Sequence, residues 1–409
     1  MAEKQTKMSF AEYALQFKKT RKNENILRQS SIIPHYERVK SIAPGIAYPT
    51  KGGLPHGGRI IEVSGLNSCG KTTGVSAIIA DYQRSFPDKS VLYVDVEQTY
   101  DIEHQTRMNH LDKNRLYVYN PDVGESGETI LGTVLDMANE ISDLSLIVID
   151  SIPSLVPAID YENEFEKDNG MRGTLAKYLY KWQRELLPII KANDIDLILI
   201  NQTRVKGKTF TGADILDEPC GDAVKFYASV RMRFGRRKFV DSEGEDLQNS
   251  PKNGTNPSTG EGASGFKLSF SFLKNKTSDT VRGGGFITYM YDGGMDITHD
   301  MFAIATKFNF INRLNNVTYE VLNPRTLELM LDEESKPLKG SKKDLYQYFK
   351  THKDFCEEYT LMVNEKLSDD NSLSGNLLDA DTANEILEAD ASVSSELKIV
   401  TQQSNEEEA

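Results

Sequence analysis

Apolar residues along this chain come in short, dense runs, separated by stretches in which they recur at helical spacing. The runs are RIIEVS (59–64), VLYVDVE (91–97), LSLIVIDS (144–151), IDLILINQ (195–202), SVRMRFG (229–235), FKLSFSFLKN (266–275) and GFITYMYD (285–292). Strand-like runs alternating with helical segments predict an α/β fold with a mostly parallel central sheet. Near the N-terminus, Phe10, Ala14 and Phe17 share a helical face ahead of a basic cluster at 18–22. They predict a short helix and arm that docks on another surface, such as a neighbouring subunit, because so short a helix is marginal alone in water. Residues 241–264 contain turn formers and predict a long exposed connection. Residues 313–364 read as a small α/β unit ending in a helix. The expected organisation is therefore an arm over 1–40, a core over 41–312, a small C-terminal domain over 313–364 and a tail over 365–409.

Composition changes this picture in two places. The 409 residues are 38% hydrophobic, enough for a sizeable core, and no apolar run approaches the roughly 20 residues of a membrane span. Glu3, Glu12 and Glu24 argue against a transit peptide, so the cytoplasm is the expected compartment. Three scattered cysteines, Cys69, Cys220 and Cys356, indicate neither a disulfide framework nor a zinc site. The net charge of −13 looks unfavourable for a nucleic-acid partner, yet residues 365–409 hold twelve Asp/Glu against two Lys. The rest of the chain is therefore near neutral, and the tail is expected to be disordered, acting as a solubiliser or as an anionic competitor of DNA.

The most specific chemistry lies in GLNSCGKTT (65–73), which fits G-x-x-x-x-G-K-T between a predicted strand and a predicted helix. In that setting Gly65, Leu66, Asn67, Ser68, Cys69, Gly70 and Thr73 wrap backbone N–H groups around phosphates. Lys71 reaches the β- and γ-phosphates of ATP, and Thr72 ligates Mg²⁺. Cys69 reads as a small residue that fits the loop, with a redox-sensitive position as the alternative. Asp150, at the end of LIVID, is expected in the Mg²⁺ shell; in isolation it would as readily cap the next helix. Glu97 closes another strand and is placed to activate water, and Gln202 closes a third, where it can sense the γ-phosphate or be a satisfied strand-end amide.

Taken in order, KGGLPHGGRIIEVSGLNSCGKTT, YVDVEQTYD, LIVIDSIPSLVP, LILINQTRVK, CGDAVKFYASVRM, FLKNKT and LKGSKKDLYQYFK resemble the RecA family of recombinases, close to the bacterial type, from about Lys40 to Lys366. The resemblance implies a RecA-type P-loop ATPase core that binds ATP and Mg²⁺. It assigns phosphate and metal roles to Lys71, Thr72 and Asp150, water activation to Glu97, adenine contact to Asp101, and nucleotide sensing to Gln202. Lys274 and Lys276 match lysines that reach the γ-phosphate of the neighbouring protomer, although KNK alone is only an exposed basic pair. Asp160–Lys177 resembles a first DNA-binding loop with Met171, Arg172 and Lys177 as contacts. Arg204–Gly221 resembles a second, with Arg204, Lys206, Lys208 and Phe210, and with glycines at 207, 212 and 221 for mobility. Phe226 matches an interface residue coupling protomers; without the resemblance it would equally be a core aromatic.

The sequence also departs from the family pattern. His104 stands where an adenine-stacking ring is usual, Lys177 and Asp222 replace an expected Arg and Asn, and the second loop carries Asp214, Asp217 and Glu218. The expected function is an ATPase dependent on DNA that polymerises as a helical filament on single-stranded DNA, pairs it with homologous duplex DNA and exchanges strands. Single-strand-binding and loading proteins are further expected partners, no membrane partner is expected, and the compartment is a bacterial cytoplasm or that of an infected host. The alternatives are a ring helicase on the same fold and a non-enzymatic recombination accessory protein.

Overall fold

The computed structural model describes residues 8–22, 37–162, 174–208, 214–235, 237–242, 244, 246–247, 262–277, 283–370, 372–373 and 375–387. The chain divides at Glu37 into two units. In the first, α1 (Phe10–Arg21) starts at a capping box in which Ser9 Oγ accepts from the Glu12 amide and Glu12 accepts from the Ser9 amide. None of its side chains is buried within that unit, and Phe10 is 75% exposed.

In the second unit all seven apolar runs are strands of one ten-stranded sheet. The chain runs through β1 (Ile60–Gly65), α2 (Lys71–Ser85), β2 (Ser90–Asp95), α3 (Ile102–Asn109), β3 (Leu116–Tyr119), α4 (Gly127–Glu140) and β4 (Leu144–Asp150). It continues through α5 (Thr174–Ala192), β5 (Asp196–Ile200), β6 (Arg204–Lys208), β7 (Asp214–Asp217), α6 (Asp222–Tyr227) and β8 (Val230–Phe234). The strands β9 (Lys238–Val240), β10 (Gly265–Asn275), β11 (Gly284–Met290) and β12 (Gly294–Met295) complete the core. The sheet order is β12-β11-β10-β8-β1-β5-β4-β2-β3, with β9 beside β10. Pairing is parallel from β8 to β3 and antiparallel from β8 to β12.

Helices cover both faces of the parallel part, which is why its strands are apolar at every position rather than at alternate ones. Ile198 and Ile200 join Ile78, Ile79 and Tyr82 of α2 on one face; Leu197 and Leu199 join Leu131, Trp182 and Leu186 of α4 and α5 on the other. Each such buried side chain contributes roughly 1.5–3 kcal/mol relative to exposure. Parallel pairing also brings the C-terminal ends of β1, β2, β4, β5 and β8 to one edge: Asp95 lies opposite Asp150, Val63 opposite Ile200, and Gly65 opposite Phe234. Ligands bind at this edge of open α/β sheets.

Beyond the core, α7 (Ile297–Lys307) leads to a small antiparallel sheet of β13 (Ile311–Arg313), β14 (Thr318–Val321) and β15 (Lys339–Ser341), followed by α8 (Lys342–Thr351) and α9 (Lys353–Asp369). Tyr48, Phe302, Phe349, Tyr359 and Val363 form their shared core.

The expectation of a disordered tail from residue 365 is corrected for its first part. Residues 365–369 finish α9, and α10 (Ala380–Leu387) folds back on the large sheet. There Leu378, Ala383 and Ile386 are buried with Phe286 alongside, and Lys238 Nζ donates to Thr382 Oγ1 at 2.5 Å. The acidic composition of the segment hides this short apolar face, because mean charge says nothing about spacing. Residues 388–409, and most of the 241–264 connection, lie outside the described residues.

Candidate nucleotide site

The phosphate loop joins β1 to α2. Gly65 (φ +156°) has no room for a side chain, since a Cβ there would sit 2.7 Å from Cys69 Sγ and 2.8 Å from the Phe234 carbonyl oxygen. Gly70 (φ +93°) would meet Leu268 at 2.5 Å. Both positions require glycine, which holds the loop close under the sheet edge. Lys71 Nζ donates to the Gly65 and Leu66 carbonyls at 3.1 and 2.9 Å. Asn67 and Ser68 are exposed, while Thr73 and Cys69 are buried. Cys69 is 2% exposed and burial pushes its thiol up, against the pull of Lys71, which agrees with the packing reading of this residue.

Thr72 Oγ1 donates to Asp150 Oδ2 at 2.9 Å, and the Tyr93 hydroxyl donates to the same oxygen at 2.5 Å. Burial raises the Asp150 carboxyl above its ordinary range, opposed by these two hydrogen bonds. Glu97 Oε1 accepts from Ser151 Oγ at 2.5 Å, Ser154 Oγ at 3.0 Å and Gln202 Nε2 at 2.6 Å. Three donors that follow two strand ends, β4 and β5, thus fix one carboxylate. A hydroxyl and a carboxylate side by side suit a hard cation whose remaining ligands are phosphate and water, so Thr72 and Asp150 fit Mg²⁺. No group of three or more His, Cys, Asp or Glu side chains among the described residues could hold a metal by itself.

Asn67, Ser68, Gly70, Lys71, Thr72, Glu97, Asp150 and Gln202 line one cavity of about 420 Å³, together with Arg237. Asp101 and His104 are not part of that lining. Asp101 caps α3 by accepting from the His104 amide at 2.9 Å, and His104 Nδ1 lies 3.3 Å from an Arg107 guanidinium nitrogen. Lys274 is also elsewhere: its ammonium donates to the Lys225 and Phe226 carbonyls at 2.6 and 3.2 Å, at the end of α6, and Lys276 is exposed. Burial, with Lys276 and Arg231 nearby, lowers the Lys274 pKa. Phe226 is 69% exposed, which removes the core reading of this ring.

Of the expected DNA contacts, Lys177 is exposed on α5 and Arg204 is exposed on β6. Lys206 and Lys208 also lie on β6, which pairs with β7 as an antiparallel hairpin, a structure the glycine-based reading of a mobile loop did not foresee. Met171, Arg172 and Phe210 lie outside the described residues. The base of the hairpin is fastened by charge. Buried Glu218 accepts from Arg231 at 3.2 Å, from Arg233, and from Ser64 Oγ at 3.3 Å, while Arg231 Nε donates to Glu62 of β1 at 2.5 Å.

Sequence reasoning missed Arg237, Tyr93, Ser151, Ser154 and the Glu218 cluster. The serines stand directly after Asp150 in SIPS, which was a usable signal. The others are brought in by pairing between distant strands, which leaves no local mark.

Among the described residues no helix is long and apolar enough to cross a membrane. A family model described as the RecA N-terminal domain matches residues 17–254. Over 267 residues the chain is 28% identical to protein RecA of Mycoplasma pneumoniae, covering 65% of this chain and 70% of that protein. It is 26% identical to protein RecA of Ureaplasma parvum over 281 residues, 68% and 75% of the two chains. Against protein RecA of Bordetella pertussis it is 26% identical over 315 residues, 77% of each. The chain belongs to the RecA family of DNA recombination and repair ATPases.

Proposed function

We propose that this protein hydrolyses ATP between protomers of a helical filament on single-stranded DNA, and that the bound nucleotide holds the filament in the state that pairs with and exchanges homologous duplex DNA. One observation carries the reading: Gln202 bonds the Glu97 carboxylate and stands two residues before Arg204, where the hairpin begins. A residue that bonds the first and adjoins the second along the chain can report the nucleotide state to DNA, since a ligand shifts only those equilibria whose states it binds unequally.

In this scheme Lys71 and the loop amides hold the phosphates, and Thr72 and Asp150 hold Mg²⁺, which when bound offsets phosphate charge. Glu97 accepts the proton of a water whose oxygen bonds to the γ-phosphorus as the bond to the β-phosphate oxygen breaks, giving ADP and phosphate. Lys274 and Lys276 of the neighbouring protomer stabilise the developing charge, so turnover depends on assembly. Asp101 and His104 meet the adenine, and Phe226 lies at the protomer interface. Met171, Arg172, Lys177, Arg204, Lys206, Lys208 and Phe210 contact DNA without reading its bases, acting in the cytoplasm with single-strand-binding and loading proteins. The ring helicase and the non-enzymatic accessory protein are disfavoured by the family assignment and by the complete Lys71, Thr72, Asp150 and Glu97 set.

Electron microscopy of the full chain with single-stranded DNA and a slowly hydrolysed ATP analogue tests this reading. Nucleotide-dependent helical filaments, followed by strand exchange with ATP, are expected; closed rings or bare DNA would contradict it.

A further inference from the structure

We infer that Arg237 is a phosphate-contacting catalytic residue supplied by the protomer's own chain, reaching the terminal phosphates from the turn between β8 and β9. The inference rests on the nucleotide reading above and extends it.

Because β8 runs parallel to β1 with Phe234 in register with Gly65, the chain leaves β8 where the phosphate loop begins. The turn is then fixed on both sides. The Gly235 amide donates to the Ser269 carbonyl at 2.9 Å, and Ile386 of α10 packs so closely that a Cβ on Gly235 would meet it at 2.7 Å. At the other end Lys238 pairs with Lys267. Arg237 is held between these points and lines the same cavity as Lys71, Thr72, Glu97 and Asp150.

The state of its guanidinium points to an anion. It lies 5.4 Å from the centre of the Phe266 ring, and among the described residues it forms no ion pair. An aromatic face orients a guanidinium without neutralising it, leaving its fork of donors for a ligand. Its charge is felt inside the phosphate loop, where together with Lys71 it opposes the burial that pushes up the Cys69 thiol. The count of charges agrees. Among the described lining residues other than Arg237 there is one cation, Lys71, against Glu97 and Asp150, a poor host for a triphosphate; with Arg237 these charges balance before Mg²⁺ is added. Lys274 makes no such contribution within its own protomer, being tied to the carbonyls at the end of α6.

During hydrolysis a bond forms from water oxygen to the γ-phosphorus, the bond to the β-phosphate oxygen breaks, and the water proton passes to Glu97. Negative charge then collects on the leaving β-phosphate oxygen and on the terminal phosphate. Arg237 donates to these oxygens, the role an arginine finger plays in cis.

The test compares the full-length wild type with Arg237→Ala, Arg237→Lys and the control Lys71→Ala. It measures kcat and KM for ATP, the affinities for a slowly hydrolysed ATP analogue and for ADP, and single-stranded DNA affinity at saturating nucleotide. Arg237→Ala is expected to lower kcat by roughly 10²-fold or more and to weaken the ATP analogue more than ADP, with DNA affinity unchanged. Arg237→Lys should recover only part, because an ammonium lacks the two-pronged geometry. Wild-type kcat and KM in Arg237→Ala, or a defect confined to DNA affinity, would overturn the inference. Failure of the wild type itself to bind ATP, or unaltered binding by Lys71→Ala, would instead overturn the nucleotide reading on which it rests.

Discussion

Two regions meet just after β5 and are built in different ways. On one side, Gln202 belongs to a pocket whose side chains leave the ends of buried parallel strands, with Asp150 only 9% exposed. On the other, Arg204 opens a hairpin whose Val205 is 50% exposed and whose base is held by the buried Glu218, Arg231 and Arg233 charges. In the proposed function the difference has a use: catalytic groups need fixed geometry and gain it from the sheet, whereas a surface that takes any DNA sequence needs charge and reach more than position. The Glu218 cluster joins the two, because Glu62 and Ser64 in the same network belong to the strand that enters the phosphate loop.

The largest expected effect is on the rigid side. Glu97→Gln should keep ATP and DNA binding yet lower turnover by about 10²–10⁴-fold, as loss of a general base does. Phosphate release measures this, and normal turnover would remove Glu97 from the chemistry. Next comes the joint between the regions. Glu218→Ala leaves two buried arginines without their shared carboxylate and should cost about 3–5 kcal/mol in urea unfolding, while Asp222→Ala, an exposed partner of Lys225 at 3.9 Å, should cost almost nothing. Equal midpoints for the two variants would show that the cluster does not anchor the hairpin. The smallest effect concerns the DNA side. Deleting 388–409 should strengthen duplex-DNA binding several-fold at low salt, with the gain fading as salt rises, as removal of an anionic competitor would. Deleting 371–409 should in addition lower the melting temperature, since it strips Leu378, Ala383 and Ile386 from the sheet. Unchanged duplex affinity across the salt series in the shorter deletion would dismiss the competitor role.

Legibility in the sequence followed the same divide. Lys71 and Thr72 were readable from the G-x-x-x-x-G-K-T spacing, and Asp150, Glu97 and Gln202 because each closes an apolar run, where a polar residue marks a strand end at the ligand edge. Arg237 was not, because its place depends on β8 pairing with β1 from far along the chain, a contact that no local pattern encodes. The hairpin escaped notice because Gly207 and Gly212 read as a source of loop mobility, although the strand can bulge between Val205 and Gly207 and still pair. The α10 segment was masked by its aspartates and glutamates, yet Ala383 and Ile386, three residues apart on one helical face, dock it on the sheet with Leu378 just ahead of the helix.

The central claim is that the nucleotide pocket and the hairpin form one coupled device. Steady-state phosphate release by the full chain at saturating ATP and Mg²⁺, with and without single-stranded DNA, tests it most directly. The account predicts that DNA raises turnover by at least about tenfold, as completion of a site by assembly does. An identical rate in the presence and absence of DNA would contradict it.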